Sequence, residues 1–364
     1  MTPFPRRDYA DLRRYNPGRA PAAVDLSDNT NLWGPHPEAL ARLQAATPDD
    51  LRCYPELYAD TLRDAVSKRF DVDPDCVTTG AGSDDLLDSA FRAAYGAGQT
   101  VTYPAPTFSM VGDLARMNGM VPRPVPWQEA HDDPSTLLVD DPAVIFLCRP
   151  NNPTGAQLSE DWVERLIGLV EDSVGGAARG PLIVLDEAYA DFAEETLIEW
   201  APRLPRFLVT RTCSKAYGLA GLRCGFGVAN AGVILEVDKS RGPYKVARLA
   251  IELAASAVRD RDGWVTQMVD ECLKNRWRLA EALDERDLDQ LPSSANFILL
   301  ASPSGDAAQD AAALRDAAVQ VRPFVDIPDL GDALRVTVGP WPLMEQFLEA
   351  LDTRLAALQE IESS

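Results

Sequence analysis

Short runs rich in β-branched and aromatic residues recur along the first two-thirds of the chain, with helical stretches between them: QTVTY (99–103), AVIFLC (143–148), PLIVLDE (181–187), RFLVTR (206–211) and CGFGVAN (224–230). Continuous apolar runs of this length suit strands buried on both faces, and parallel strands need long crossovers. The pattern predicts an α/β fold with a mostly parallel sheet sandwiched by helices. At 364 residues the chain exceeds what one core usually supports. The expected division is an N-terminal arm (1–35), a large domain (36–245) and a smaller α+β domain (246–364). In that last part a long amphipathic helical region leads to SSANFILL, VQVRPFV and ALRVTVG. The prolines at 121–142 and SVGGAARG at 173–180 read as loops.

Such a sheet binds ligands beyond the carboxyl ends of its strands. The unusual residues follow there: RPNNPTG after the second run, DEAY after the third and TCSKAYGLAGLRCGF after the fourth. Lys215, in the last of these, is one of only five lysines against thirty arginines. Alone it reads as a solvated surface cation. Small and apolar neighbours, however, favour the neutral and nucleophilic amine.

The other motifs supply what a phosphate-bearing ring cofactor, held through an imine, requires. Gly82, Ser83 and Asp84 turn into a helix and offer backbone amides to a phosphate; the plainer alternative is an ordinary acidic N-cap. Asp186 ends an apolar strand and can hold a ring nitrogen protonated, or else is a solvated or magnesium-binding acid. The chain has no G-x-x-x-x-G-K-[ST] loop for a nucleotide. Tyr189 and Asn152 can hydrogen-bond a ring oxygen, though NNPTG is also plain turn chemistry.

Composition narrows the remaining choices. A net charge of −21 opposes a nucleic-acid partner. No apolar run is long enough to span a bilayer, and the first residues lack a secretory signal's apolar stretch, so a cytoplasmic protein is expected. The six cysteines have no metal or C-x-x-C spacing, and His36 and His131 are the only histidines. No metal is expected, and proton transfer must use a base other than histidine.

RPNNPTG, LDEAY, TCSKAYGLAGLRCGF and ALRVTVG, in this order, resemble the fold-type-I pyridoxal-phosphate aminotransferases. LSDNTNLWGP, CYPE, GAGSDD, YPAPTF, RGPYKV and VRPF are most similar to the histidinol-phosphate aminotransferase branch. The resemblance implies that Lys215 forms the imine with pyridoxal phosphate and shuttles the proton of the reaction. It implies that Thr212, Ser214 and Arg223 join the Gly82–Asp84 amides on the cofactor phosphate, and that Phe108 stacks on the ring where many relatives have tyrosine. Tyr54 would reach the phosphate from a neighbouring subunit, implying a homodimer. Arg335 would clamp the substrate α-carboxylate, and Arg322 matches a position associated with a distal phosphate. Asn31, Trp33 and Tyr15 would shape the substrate pocket, although NTNLWGP departs from the family's N-E-N-P-Y-G-P. The activity implied moves an amino group between an amino acid or amino-alcohol phosphate and a 2-oxo acid, with 2-oxoglutarate expected. The alternatives on the same scaffold are a decarboxylase of threonine-phosphate type and a specialised-metabolism enzyme such as an aromatic transaminase, cyclase or oxidase.

Overall fold

The computed structural model describes residues 4, 9, 12, 14, 16, 21–94, 98–174 and 180–362. Its strands are β1 (Val24–Asp25), β2 (Val77–Gly80), β3 (Thr100–Ala105), β4 (Val121–Pro126), β5 (Val144–Cys148), β6 (Leu182–Asp186), β7 (Phe207–Thr212), β8 (Gly225–Val228), β9 (Gln290–Leu291), β10 (Phe297–Ala301), β11 (Val319–Gln320), β12 (Arg322–Ile327) and β13 (Gly331–Thr337). Its α-helices are α1 (Pro37–Gln44), α2 (Pro48–Arg52), α3 (Asp60–Phe70), α4 (Ser83–Ala93), α5 (Met110–Met117), α6 (Trp127–Asp132), α7 (Glu160–Val174), α8 (Ala231–Ser240), α9 (Arg248–Arg259), α10 (Trp264–Asp284), α11 (Ala307–Asp316) and α12 (Trp341–Glu362). No helix among the described residues is long and apolar enough to cross a membrane.

Seven strands form one sheet in the order β2-β8-β7-β6-β5-β3-β4. β8 alone runs against the direction of the other six, pairing antiparallel with β2 and β7. Every residue of β5, β6 and β7 is buried, which explains why these strands carry no polar alternation. A second, four-stranded antiparallel sheet has the order β12-β13-β10-β9. Helix α9 packs on α1 and α3.

The proline segment departs from expectation. VPRPVP at 121–126 is not a loop but the edge strand β4, parallel to β3. The amide of Val121 donates to the carbonyl of Gln99 at 2.9 Å, so alternate positions face β3. Pro122, Pro124 and Pro126 occupy the other parity, where an edge strand needs no N–H. In the second expected loop, Ser173 and Val174 end α7 and residues 175–179 lie outside the described residues.

The amino-terminal segment joins the two sheets. Strand β1 pairs in parallel with β11, and the amide of Thr337 at the end of β13 donates to the carbonyl of Leu26. The chain then crosses the carboxyl ends of the seven-stranded sheet, where the amide of His36 donates to the carbonyl of Tyr217.

Candidate active site

Strands β5 and β6 end side by side, Cys148 beside Asp186, and β7 runs two residues further, with Asp186 beside Thr210 and the strand ending at Thr212. The loops that follow, the start of α4 and strands β12 and β13 enclose a cavity of about 340 Å³. Lys215, Ser83, Asp84, Phe108, Asn152, Asp186, Tyr189, Thr212, Ser214, Arg223, Arg322 and Arg335 all line it.

The phosphate-sized end is built on α4. Gly82 precedes the helix at φ +90, and a Cβ there would sit 2.6 Å from Nη2 of Arg223, so only glycine lets the guanidinium close over the turn. The first amides of α4 have no partner within the helix and attract an anion. Arg223 donates to Ser214 Oγ and to Asp84 Oδ2, both at 3.3 Å. The Thr212 hydroxyl donates to Ser214 Oγ at 2.9 Å, which places both hydroxyls at the same end.

Burial tunes the opposite wall. Asp186 is 4% exposed, and its Oδ1 accepts from the Ala188 amide and the Thr210 hydroxyl, each at 3.2 Å. Burial first, and the charge of Asp84 second, push its carboxyl up to about 7. Burial, assisted by Arg335, pushes the Lys215 amine down to about 7. Lys215 Nζ donates to the carbonyl of Asp28 at 2.8 Å and stands 5.6 Å from the centre of the Tyr189 ring. Buried Tyr189 lies edge-on to Phe297 with ring centres 5.2 Å apart, and burial pushes its phenol up to about 12.

Behind this wall a buried ionic cluster roots the three loops. Glu187, fully buried, accepts from the Leu197 amide at 2.7 Å, from the Thr196 hydroxyl at 2.5 Å and from Arg211 at 3.1 Å. Arg149, also fully buried, lies 3.8 Å from Glu187, donates to the carbonyl of Leu158 at 2.7 Å and pairs with Glu195 at 3.0 Å. Such clusters add little net stability, but loss of one partner leaves a buried charge uncompensated. Because Glu187 points away from the cavity, its neighbour Asp186 points in.

Arg322 and Arg335 are directly opposed on β12 and β13. Arg335 donates to Asn152 Oδ1, donates to the carbonyl of Ser27 at 2.7 Å, and lies between Phe297 and Phe324 at 5.3 and 5.4 Å from their ring centres. Opposed like charges are unfavourable unless an anion lies between them.

Other expected residues lie elsewhere. Asn31 and Trp33 do not line the cavity. The Asn31 amide group donates to the carbonyl of Ala216 and accepts from the Trp33 amide, both at 2.9 Å, so it clamps the Lys215 loop instead of facing a substrate. The approach is tight: a Cβ on Gly218, at φ +68, would meet the carbonyl oxygen of Gly34 at 2.2 Å. Trp33 packs on the core. Tyr54 is 80% exposed, stacks on Tyr244 at 5.1 Å and lines a separate groove with Arg248. Tyr15 lies outside the described residues. Sequence reasoning passed over Asp28, Thr107, Ser109, Cys148 and Phe324, all in the lining. The available signal was that Cys148 immediately precedes RPNNPTG and that Thr107 is part of YPAPTF.

The family model for aminotransferase class I and II matches residues 21–351. The chain belongs to the class I and II aminotransferases. A histidinol-phosphate aminotransferase of Gluconacetobacter diazotrophicus is 35% identical over 354 residues, covering 94% of this chain and 96% of that protein. One of Citrifermentans bemidjiense is 32% identical over 351 residues, covering 95% and 97%. Among solved structures, histidinol-phosphate aminotransferase from Sinorhizobium meliloti in complex with pyridoxal-5'-phosphate matches with a TM-score of 0.83 at 23% identity, covering 97% of each chain. At that identity the likeness is one of fold.

The residues of this class I and II aminotransferase fit pyridoxal phosphate. The α4 amides with Arg223, Ser214 and Thr212 suit a phosphate. A buried carboxyl raised to about 7 suits a ring nitrogen that brings its own positive charge, and an amine lowered to about 7 suits an aldehyde.

Proposed function

We propose that the chain is a pyridoxal-phosphate aminotransferase that takes its amino group from an amino-alcohol phosphate of the histidinol-phosphate type and passes it to a 2-oxo acid such as 2-oxoglutarate. The observation that carries the substrate class is the opposed pair Arg322 and Arg335 opening onto the same cavity as Lys215. The names of the relatives at 32–35% identity support the same donor.

Bound in the cavity, pyridoxal phosphate supplies an electron sink that acidifies the proton on the nitrogen-bearing substrate carbon. Asp186 would keep the ring nitrogen protonated and Phe108 would pack against the ring, while Tyr189 and Asn152 would supply hydrogen bonds to the ring oxygen. The amides of Gly82, Ser83 and Asp84, with Thr212, Ser214 and Arg223, would hold the phosphate, and Lys215 would hold the aldehyde. With the cofactor in place, Lys215 would be the base positioned to take the proton from the nitrogen-bearing substrate carbon and to hand it on. Neither histidine competes for this role: His36 is bonded to Asp260 at 3.0 Å and His131 is on α6, and neither lines the cavity. Arg335 offers its planar fork to a carboxylate, and Arg322 receives the distal phosphate.

We place the enzyme in the cytoplasm as a homodimer. All six cysteines are unpaired, as a reducing compartment requires. Exposed Tyr54 and Leu51 offer a surface from which Tyr54 reaches the phosphate of a second copy.

The test is amino-donor profiling. Histidinol phosphate with 2-oxoglutarate is expected to yield glutamate without carbon dioxide. Arg322→Ala is expected to raise the KM for histidinol phosphate roughly 10- to 100-fold, the worth of a charge-assisted contact. Response only to neutral or aromatic amino acids would overturn the donor, and release of carbon dioxide would overturn transfer in favour of decarboxylation.

A further inference from the structure

Asn29 joins the amino-terminal segment, both sheets and the ring-facing tyrosine. It is 1% exposed and adopts φ 56, a left-handed conformation that asparagine tolerates better than most residues. Its backbone and its side chain both make tertiary hydrogen bonds. Its backbone amide donates to Thr337 Oγ1 at 3.0 Å, and its carbonyl accepts from Asn296 Nδ2 at 3.2 Å. Its side-chain Nδ2 donates to the Tyr189 hydroxyl at 3.0 Å, and Oδ1 lies 3.1 Å from Thr337 Oγ1, whose single proton goes to the carbonyl of Leu26 at 2.7 Å. Thr337 ends β13 and Asn296 immediately precedes β10, so both belong to the four-stranded sheet, whereas Tyr189 follows β6 of the seven-stranded one. The preceding residue, Asp28, accepts from Lys215 through its carbonyl.

The direction of the Asn29–Tyr189 bond has a chemical consequence. A phenol has one proton and can also accept. With Nδ2 of Asn29 donating to the phenol oxygen, the phenol proton is left for an acceptor in the cavity. An aspartate or leucine at position 29 has no donor to set that direction.

We propose that Asn29 is a positioning residue that holds the Tyr189 oxygen as an acceptor, turns the phenol proton onto the cofactor's ring oxygen, and ties that hydrogen bond to the four-stranded sheet through Thr337 and Asn296. The proposal rests on reading the cavity as the pyridoxal-phosphate site.

The experiment is a pH titration of the absorbance of the bound cofactor in the holoenzyme. A donor to the ring oxygen stabilises its anionic form and lowers the pH at which the chromophore loses its proton. Asn29→Gly, which accepts the left-handed backbone without strain, and Asn29→Ala are each expected to raise that pH by about one unit, the equivalent of one hydrogen bond. Tyr189→Phe is expected to move it the same way, and Asn29→Gly to add nothing further in the Tyr189→Phe background. kcat is expected to fall with little change in KM. An unmoved titration in variants of lowered melting temperature would reduce Asn29 to a structural role. A shift to lower pH would mean that Asn29 accepts the phenol proton, and additive shifts would mean that the two residues act independently; either result overturns the proposal. A wild-type protein without any cofactor absorbance would instead overturn the cofactor reading.

Discussion

Lys215→Ala is expected to slow amino transfer by at least about 10⁴-fold, the upper range for a positioned proton-transfer group, because no other lysine lines the cavity. Lys239 is paired with Glu236 and Lys245 with Asp85, each at 2.6 Å, so neither is placed to substitute. Added small primary amines are expected to restore part of the rate, since they return a base to the space that truncation opens. The fold is expected to survive. The amine is lowered from 10.5 to about 7 by burial, which penalises its charged form. That penalty is complete below pH 7, where both folded and unfolded states are protonated, and disappears as pH rises to about 10.5. The cofactor-free variant is therefore expected to melt higher than the cofactor-free parent at pH 6, with the gap closing toward pH 10. A wild-type rate in Lys215→Ala would remove the lysine from the mechanism.

Asp186→Asn is expected to lower kcat by on the order of 10²- to 10³-fold, as expected when a charge aimed at the reacting system is removed. Its effect on stability has a distinct pH signature. The carboxyl is raised from 3.8 to about 7, so the folded, cofactor-free protein binds more protons than the unfolded chain between those limits. Stability conferred by the protonated acid is present below about pH 4 and is lost as pH rises through 7. Cofactor-free Asp186→Asn is accordingly expected to match the parent near pH 4 and to exceed it at pH 8. With pyridoxal phosphate bound, the order at pH 8 is expected to reverse, because the ring nitrogen gives the carboxylate a positive partner. Calorimetric melts of both forms at the two pH values measure this, and a pH-independent difference would contradict the origin assigned to the shift.

The strands that build the site were legible because β5, β6 and β7 are buried on both faces and write themselves as uninterrupted apolar runs. The edge strand β4 was not, since its outer side needs no amide and its prolines mimic a loop. The residues of the cavity wall were legible where they end a strand, as Asp186 does, follow one, as Asn152 does, or begin a helix, as Ser83 and Asp84 do. The amino-terminal segment was harder. Asn29 and Asn31 are two residues apart in one polar run, and nothing local distinguishes the one that meets Tyr189 from the one that clamps the Lys215 loop. That difference is made by β1 pairing with β11, a contact between residues almost 300 positions apart. The Glu187 cluster was hidden for a similar reason: Arg149, Glu187 and Arg211 come together only when three strands lie in register.

Borohydride reduction of the purified holoenzyme, followed by proteolysis and mass spectrometry of the peptides, tests most directly whether Lys215 holds the cofactor. The expected result is one added pyridoxyl phosphate per chain, on the peptide containing Lys215, and none in Lys215→Ala. Label on Lys68, Lys239, Lys245 or Lys274, or no label on any lysine, would contradict it.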